Sequence, residues 1–210
     1  MKIVAFGATG GTGKNVVEVA LKAGHEVVAV ARKPEAITAR ERLHVHKGDV
    51  LDPASTAAAL PGADAVICTI GPSANSNPGT LLSMGIKNII DGCAKAGVRR
   101  LVFESGLICS DGSELGFLGR AAVRVFAMVY PKLKADKIIA EASLIASNLD
   151  WVIVRPPALS HSPATGQYLA GPGARVMPAK ALSHADCAEA LLKAATEPTW
   201  VKQIVNVGRA

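Results

Sequence analysis

The chain has 210 residues, half of them apolar, 19% charged and only 4% aromatic, which suits one α/β domain with a sizeable core. Its net charge of +6 is spread over scattered Lys and Arg with no run longer than Arg99-Arg100, and without interleaved aromatics this argues against a nucleic-acid surface. No apolar run approaches the length of a membrane span, and Met1-Lys2 lead straight into an apolar strand, so a leaderless cytoplasmic protein with no membrane partner is expected.

Residues 2–6 (KIVAF) read as a short buried strand closed by Gly7. Residues 11–23 read as a helix with Val16, Val17, Val19, Ala20 and Ala23 on its apolar face, stopped by Gly24. A second buried strand, EVVAVAR, covers 26–32. A short helix near 34–41 and a strand at 43–48 follow. Asp52 is an N-cap for a helix opened by Pro53. The next strand is ADAVICTIG (63–71), leading into a loop rich in breakers at 71–79. An amphipathic helix spans 80–97 and ends at Gly97, and a strand covers 98–105.

The rhythm then breaks. A Gly/Ser/Asp-containing loop precedes a helix at about 117–129, Pro131 interrupts, and a second helix runs over about 132–147. DWVIVRPP (150–157) is a strand ended by a double proline. Residues 158–182 are irregular and rich in Gly and Pro. A helix follows at 183–196 with a Ser183-x-x-Asp186 start, a variant of the capping box. KQIVNVG (202–208) is the last strand.

Continuous apolar strands alternating with helices predict a parallel sheet covered on both faces. The expected fold is a Rossmann-like, doubly wound α/β sheet formed by residues 1–210 as a single domain. The ligand crevice lies at the carboxyl ends of the strands, and 158–180 serves as a substrate-loop region. Cys68, Cys93, Cys109 and Cys187 show no metal-ligand spacing, so no metal is expected. Free thiols fit a reducing compartment.

The motif Gly7-x-x-Gly10-x-x-Gly13 follows a strand and opens a helix. Glycines there let the backbone turn tightly and approach a pyrophosphate, which the helix N-terminus attracts. Gly11 belongs to the same turn, and Thr9 and Thr12 are candidate hydroxyl donors. Lys14 does not make this a P-loop, because the G-x-x-x-x-G-K-[ST] spacing is absent. The end of the second strand separates the cofactors. An acid about 20 residues past the motif would bond the ribose 2′-hydroxyl of NAD. Arg32 and Lys33 stand there instead and suit a 2′-phosphate, so NADP(H) is the expected cofactor. Asp49 is placed either to meet the adenine amino group or to serve as a turn residue.

These pieces resemble the short-chain dehydrogenase/reductase superfamily in its small atypical branch. The matching stretches are GATGGTG, VARKPE, GDV, DAVICTIG, RRLVFESG, ASNLDWVIVRPP and SHADCAEALL. NPGTLLSMGIKNII and RPPALSHSPATGQY are similar to the biliverdin-IXβ reductase/flavin reductase group. The resemblance implies cofactor contacts at Gly7, Thr9, Gly10, Thr12, Gly13, Arg32, Asp49, Val50, Thr69, Ile70 and Gly71. It implies an active-site serine at Ser105 and nicotinamide neighbours at Pro156 and Pro157. Two positions depart from the pattern. The histidine that follows the double proline in the flavin/biliverdin reductases is Ala158 here, with His161 nearby. The family lysine aligns with Lys137, but the tyrosine position is Leu133.

A Tyr130-x-x-x-Lys134 pair lies three residues upstream. On a helix it would share one face, the arrangement in which a lysine activates a phenol as acid or base. Pro131 disfavours helical geometry at Tyr130, so packing at a helix start is the competing reading. Ser105 either bonds the acceptor or the nicotinamide amide, or caps its strand end. Without a well-placed tyrosine, a conjugated acceptor suits the site best, flavin- or biliverdin-like, although a quinone, enone or ketone fits the same class. Two alternatives share the scaffold: an NmrA-like NADP(H) sensor without turnover, and an NADP-dependent isomerase or epimerase. The substrate wall is expected from 72–80, 106–130 and 158–180. The stripe Phe117, Phe126, Met128 and Tyr130 either lines a pocket, covers the core or forms a dimer face, so monomer and homodimer both remain open.

Overall fold

A computed structural model describes residues 1–72 and 79–210. Eight strands form one sheet in the order β3-β2-β1-β4-β5-β6-β10-β8. The first half is β1 (Lys2–Phe6), α1 (Gly11–Lys22), β2 (Glu26–Ala31), β3 (Leu43–Lys47), α2 (Pro53–Ala58) and β4 (Ala65–Cys68). The second is α3 (Leu81–Ala96), β5 (Arg100–Glu104), α4 (Phe117–Val129), α5 (Pro131–Ile145) and β6 (Asp150–Arg155). Two-residue β7 (Leu159–Ser160), β8 (Leu169–Pro172), two-residue β9 (Leu182–Ser183), α6 (His184–Thr196) and β10 (Gln203–Gly208) complete the chain. All pairings in the large sheet are parallel except β8 on β10. This is the doubly wound Rossmann-like arrangement, and the chain reverses its direction of travel across the sheet between β1 and β4.

Strand composition follows from burial on two sides. Ile3 and Ala5 of β1 join the core under α1 and α6, with Val27 and Ala29 of β2 beside them. Val4, Phe6, Val28 and Val30 point to the other face and meet Leu82, Ile86 and Ile89 of α3 and Leu144 of α5. One apolar residue in every strand position therefore serves one of two cores. Fully burying each such side chain stabilises the fold by about 1.5–3 kcal/mol.

Caps set the element boundaries. Asp52 opens α2 by accepting from the Ala54 amide at 3.0 Å, and Ser183 opens α6 by accepting from the Asp186 amide at 2.9 Å. Gly97 ends α3 in the left-handed region at φ 73°. The N-terminus of α3 has no side-chain cap of its own. Buried Asp136 of α5 supplies one, accepting from the Leu82 amide at 2.8 Å and the Ser83 amide at 3.0 Å.

Three expectations change. The helix near 34–41 is a single 3-10 turn over Pro34–Ala36, because the segment offers no face to bury and all three of its residues lie out of the core. The region 158–182 is not wholly irregular: it carries β8, which pairs with β10 at the sheet edge, and the small β7–β9 ladder. The helix at 117–129 does not cover the core. Of its residues only Val123 is buried, while Phe117, Leu118 and Met128 are 85%, 81% and 73% exposed. The breaker-rich loop at 71–79 and part of the 72–80 wall fall on 73–78, outside the described residues. Among the described residues no helix is long and apolar enough to cross a membrane.

Candidate active site

Two adjoining chambers open at the carboxyl ends of the strands. One has a volume of about 320 Å³ and lies over β1, β2 and β4; the other, about 650 Å³, lies over β4, β5 and β6. Gly10, Thr69, Ile70, Gly71 and Pro72 border both and form the passage between them. A crevice of this form at the switch point is where doubly wound sheets take extended ligands.

The glycine turn builds the floor of that passage, and each glycine is needed for a different reason. Gly7 sits at φ +82°, and a Cβ there would lie 2.8 Å from the Thr69 backbone. Gly13 packs so closely that a Cβ would lie 2.1 Å from the Gly7 carbonyl oxygen. A Cβ on Gly11 would lie 2.7 Å from the His184 ring. Gly10 is the N-cap of α1 and makes no side-chain cap bond. Unlike α2 and α6, α1 thus presents its first amides to the crevice, where an anion suits them.

The smaller chamber is lined by Gly7, Thr9, Arg32, Asp49 and Val50. Arg32 is exposed at its rim, and no ion pair among the described residues engages it. Lys33 follows outside the lining, as the residue before the 3-10 turn. Asp49 uses Oδ1 to accept from the Leu51 amide at 3.0 Å, so it is a turn residue that also faces the chamber. Gly13 lines neither chamber; its part is close packing of helix on strand.

The larger chamber has apolar walls, including Leu107, Ile108, Val123, Phe126, Leu133 and Pro178. Its polar groups are few and convergent. Ser105, Pro156, Pro157 and Ala158 line it together with Lys137, Glu104, Thr12 and His184. Ser105 is buried; its amide donates to the Val154 carbonyl at 2.8 Å and its Oγ lies 3.6 Å from Cys109 Sγ. Lys137 Nζ donates to the Ser105 carbonyl oxygen. Burial pulls the Lys137 ammonium below its ordinary pKa, against the opposing attraction of Glu104. One turn further along α5, Glu141 accepts from Arg155 of β6 through two bonds of 3.0 and 2.5 Å. That pair holds α5 against the sheet and thereby sets the reach of Lys137.

Thr12 departs from its expected place. Its hydroxyl turns into the protein, donating to Glu104 Oε1 at 2.9 Å and lying 2.9 Å from His184 Nδ1. With both contacts engaged, it is not a free donor to a cofactor phosphate. Tyr130 and Lys134 lie outside the lining of the larger chamber. Tyr130 falls between α4 and α5, with backbone angles of φ −122° and ψ 56°, and its ring lies tilted against Phe126 at a centroid distance of 4.8 Å. Pro131 begins α5 at Lys134's side of that break, so Tyr130 and Lys134 do not share one helix face. Among the expected wall segments, 106–126 and 158–179 do contribute lining.

Two residues of the site had no place in the sequence reading. Glu104 is buried at the last position of β5, where an acid interrupts an otherwise apolar run. Burial drives its pKa up to about 7, outweighing Lys137 and the hydrogen bonds from Thr12 and Cys187. His184 is the first residue of α6 and its ring lies tilted against His161 at a centroid distance of 4.7 Å. An acid at an apolar strand end, next to the predicted active-site serine, is the signal that would have found the first; nothing local marks the second.

Fold and crevice together define a dinucleotide-binding protein of the Rossmann class. Residues 7–198 match the NAD(P)H-binding family, and the chain belongs to it. It is 30% identical over 180 residues to an uncharacterized chloroplastic protein of Arabidopsis thaliana, matching 81% of this chain and spanning 64% of that protein's length. ChuY, an anaerobillin reductase from Escherichia coli O157:H7, superposes with a TM-score of 0.81 at 26% identity, covering 100% of this chain and 97% of ChuY. The oxidoreductase ylbE of Lactococcus lactis superposes with a TM-score of 0.82 at 22% identity, covering 100% and 91%.

Proposed function

We propose that the chain is an NADP(H)-dependent reductase that passes hydride to a small conjugated acceptor. The observation that carries this reading is the pairing of the two chambers. A polar one ends on the exposed cation Arg32, and an apolar one holds Lys137, Ser105 and Glu104. The uncapped start of α1, Thr9 and the Gly10 turn would hold the pyrophosphate, and Arg32 would pair with a 2′-phosphate. Bound there, the reduced nicotinamide supplies hydride, and the protein supplies orientation and electrostatics.

The larger chamber suits a flat, largely apolar acceptor. Leu107, Ile108, Val123 and Phe126 give it walls that exclude water, and Lys137 gives it a half-buried cation to oppose the negative charge that hydride brings. Tyr130 is not part of this lining, so the chamber holds no phenol to protonate a carbonyl, which favours acceptors that delocalise the charge themselves. The similarity to ChuY supports the same acceptor class.

The test is cofactor titration by nicotinamide fluorescence together with NADPH oxidation in the presence of flavin mononucleotide or a linear tetrapyrrole. Arg32→Ala is expected to weaken NADPH about ten- to hundredfold, the range for loss of a charge-assisted bond, and to leave NADH nearly unchanged. Equal losses for both cofactors would remove the 2′-phosphate assignment. Tight NADPH binding with no oxidation by any acceptor would replace the reductase with a cofactor-sensing protein.

A further inference from the structure

The hydride acceptor also needs a proton, and the larger chamber contains a chain of groups able to deliver one. Glu104 faces the chamber with its carboxyl against the Thr12 hydroxyl at 2.9 Å, and that hydroxyl is 2.9 Å from His184 Nδ1. The three residues come from β5, α1 and α6, far apart in sequence, and meet beneath the crevice. His184 is half-buried and lines the chamber, with the exposed His161 ring tilted against it, so the chain runs from a partly exposed imidazole to the buried carboxyl.

We propose that Glu104 is the proton donor of the reduction and that His184 recharges it through Thr12. This rests on the reductase reading above. As hydride leaves the reduced nicotinamide for a carbon or nitrogen of the acceptor, the acceptor gains an electron pair and one negative charge. The Glu104 O–H bond breaks and its proton goes to the acceptor, leaving a carboxylate. Thr12 then passes its hydroxyl proton to Glu104 Oε1 and takes the Nδ1 proton of His184 as Nε2 takes one from solvent, and exchange with solvent returns the ring to its Nδ1–H tautomer before the next turnover. The sum is one reduced cofactor, one acceptor and one proton from solvent, giving oxidised cofactor and reduced acceptor.

The groups facing Glu104 agree with this part. Lys137 approaches from α5 and stabilises the carboxylate left after each transfer. Cys187 of α6 lies with Sγ 3.8 Å from Oε1, and Cys68 of β4 is a further ionisable neighbour. Burial pushes Cys68 to about 12 and Cys187 well above its ordinary value, so both stay neutral thiols and do not compete for the role. His184 is held below its ordinary pKa by burial and by His161, which keeps it a neutral shuttle at pH 7. Glu104 itself, raised to about 7, is poised to hold and to release a proton near neutrality.

The experiment compares wild type, Glu104→Gln, Thr12→Val and His184→Asn in single-turnover and steady-state NADPH oxidation with flavin mononucleotide, across pH and in deuterated water. Protonated Glu104 is the active form, so the wild-type rate is expected to fall as pH rises through about 7. Glu104→Gln should lose about a hundredfold or more, as for a removed general acid, and lose that pH limb while binding NADPH within a fewfold of wild type. Thr12→Val and His184→Asn should slow later turnovers more than the first, with a larger solvent isotope effect in the steady state. The protein without cofactor gives an independent reading: the infrared band of a protonated carboxyl should vanish near pH 7 in wild type and be absent in Glu104→Gln. A Glu104→Gln enzyme with wild-type rate and pH profile would overturn the relay while the reductase stands. If no acceptor oxidises NADPH, the reductase falls, and a Glu104 band that titrates in the ordinary carboxylate range overturns the donor assignment by itself.

Discussion

At the scale of single residues, the glycine motif divides its labour in a way the spacing does not reveal. Gly7 provides a left-handed turn, Gly10 leaves the mouth of α1 open, Gly11 makes room for His184, and Gly13 lets α1 lie against the Gly7 carbonyl. Gly13→Ala is therefore expected to destabilise the fold although it lines neither chamber. Its methyl would lie 2.1 Å from the Gly7 carbonyl oxygen and would force helix and turn apart, and such overpacking costs about 1–3 kcal/mol or more. Denaturant unfolding checks this, and an unchanged midpoint would mean that the turn yields freely. The same scale explains why Arg32 was legible and Glu104 was not. Arg32 stands at a fixed distance from a motif, whereas the meaning of Glu104 depends on Thr12, 92 positions away.

At the scale of elements, Lys137 of the larger chamber is carried on a helix held by a salt bridge it does not belong to. Glu141 and Arg155 are 6% and 13% exposed and form a two-bond contact between α5 and β6. Removing one partner leaves a buried unpaired charge, so Glu141→Ala is expected to cost about 3–5 kcal/mol. Thermal or denaturant melting measures the loss; a change below about 1 kcal/mol would show that the charge is rescued by water. The element scale also explains which boundaries could be read. Helices with their own caps, such as α2 with Asp52 and α6 with Ser183, start where the sequence indicates. The start of α3 relies on Asp136 from a different helix, and no local pattern announces that. The α4 stripe leaves pocket lining, core cover and a dimer face open for a related reason: apolar periodicity marks a face but does not say what packs upon it, and of the stripe Phe126 lines the larger chamber. Here most of that face remains exposed, with Val125 and Val129 at 55% and 61% alongside Leu118.

For the whole molecule, the order of the sheet decides how the C-terminal part of the chain contributes. β10 lies between β6 and β8, pairing with both, so the last strand in sequence is an interior strand of the sheet. Deleting 203–210 should therefore abolish cooperative unfolding rather than trim an edge, since β6 would lose one of its two neighbours and β8 its anchor. Circular dichroism melting of the shortened chain tests this, and a sharp transition near that of the full chain would contradict it. The same topology brings the start of α6 beside the glycine turn, and so places His184 against Gly11 and Thr12.

The sequence by itself determined the alternation of strand and helix, the doubly wound class, the dinucleotide turn and the cation at the end of the second strand. Each of these is written in local periodicity or in short fixed spacings, because the helix and strand repeats and the glycine turn are near-neighbour physics. Only the tertiary structure decided which polar groups share the larger chamber. It brought Glu104, Thr12, His184 and Lys137 together, and it left Tyr130 outside. Burial and contacts between β5, α1, α5 and α6 set those roles, and such long-range proximity follows from how two faces of one sheet are covered rather than from any stretch of the chain.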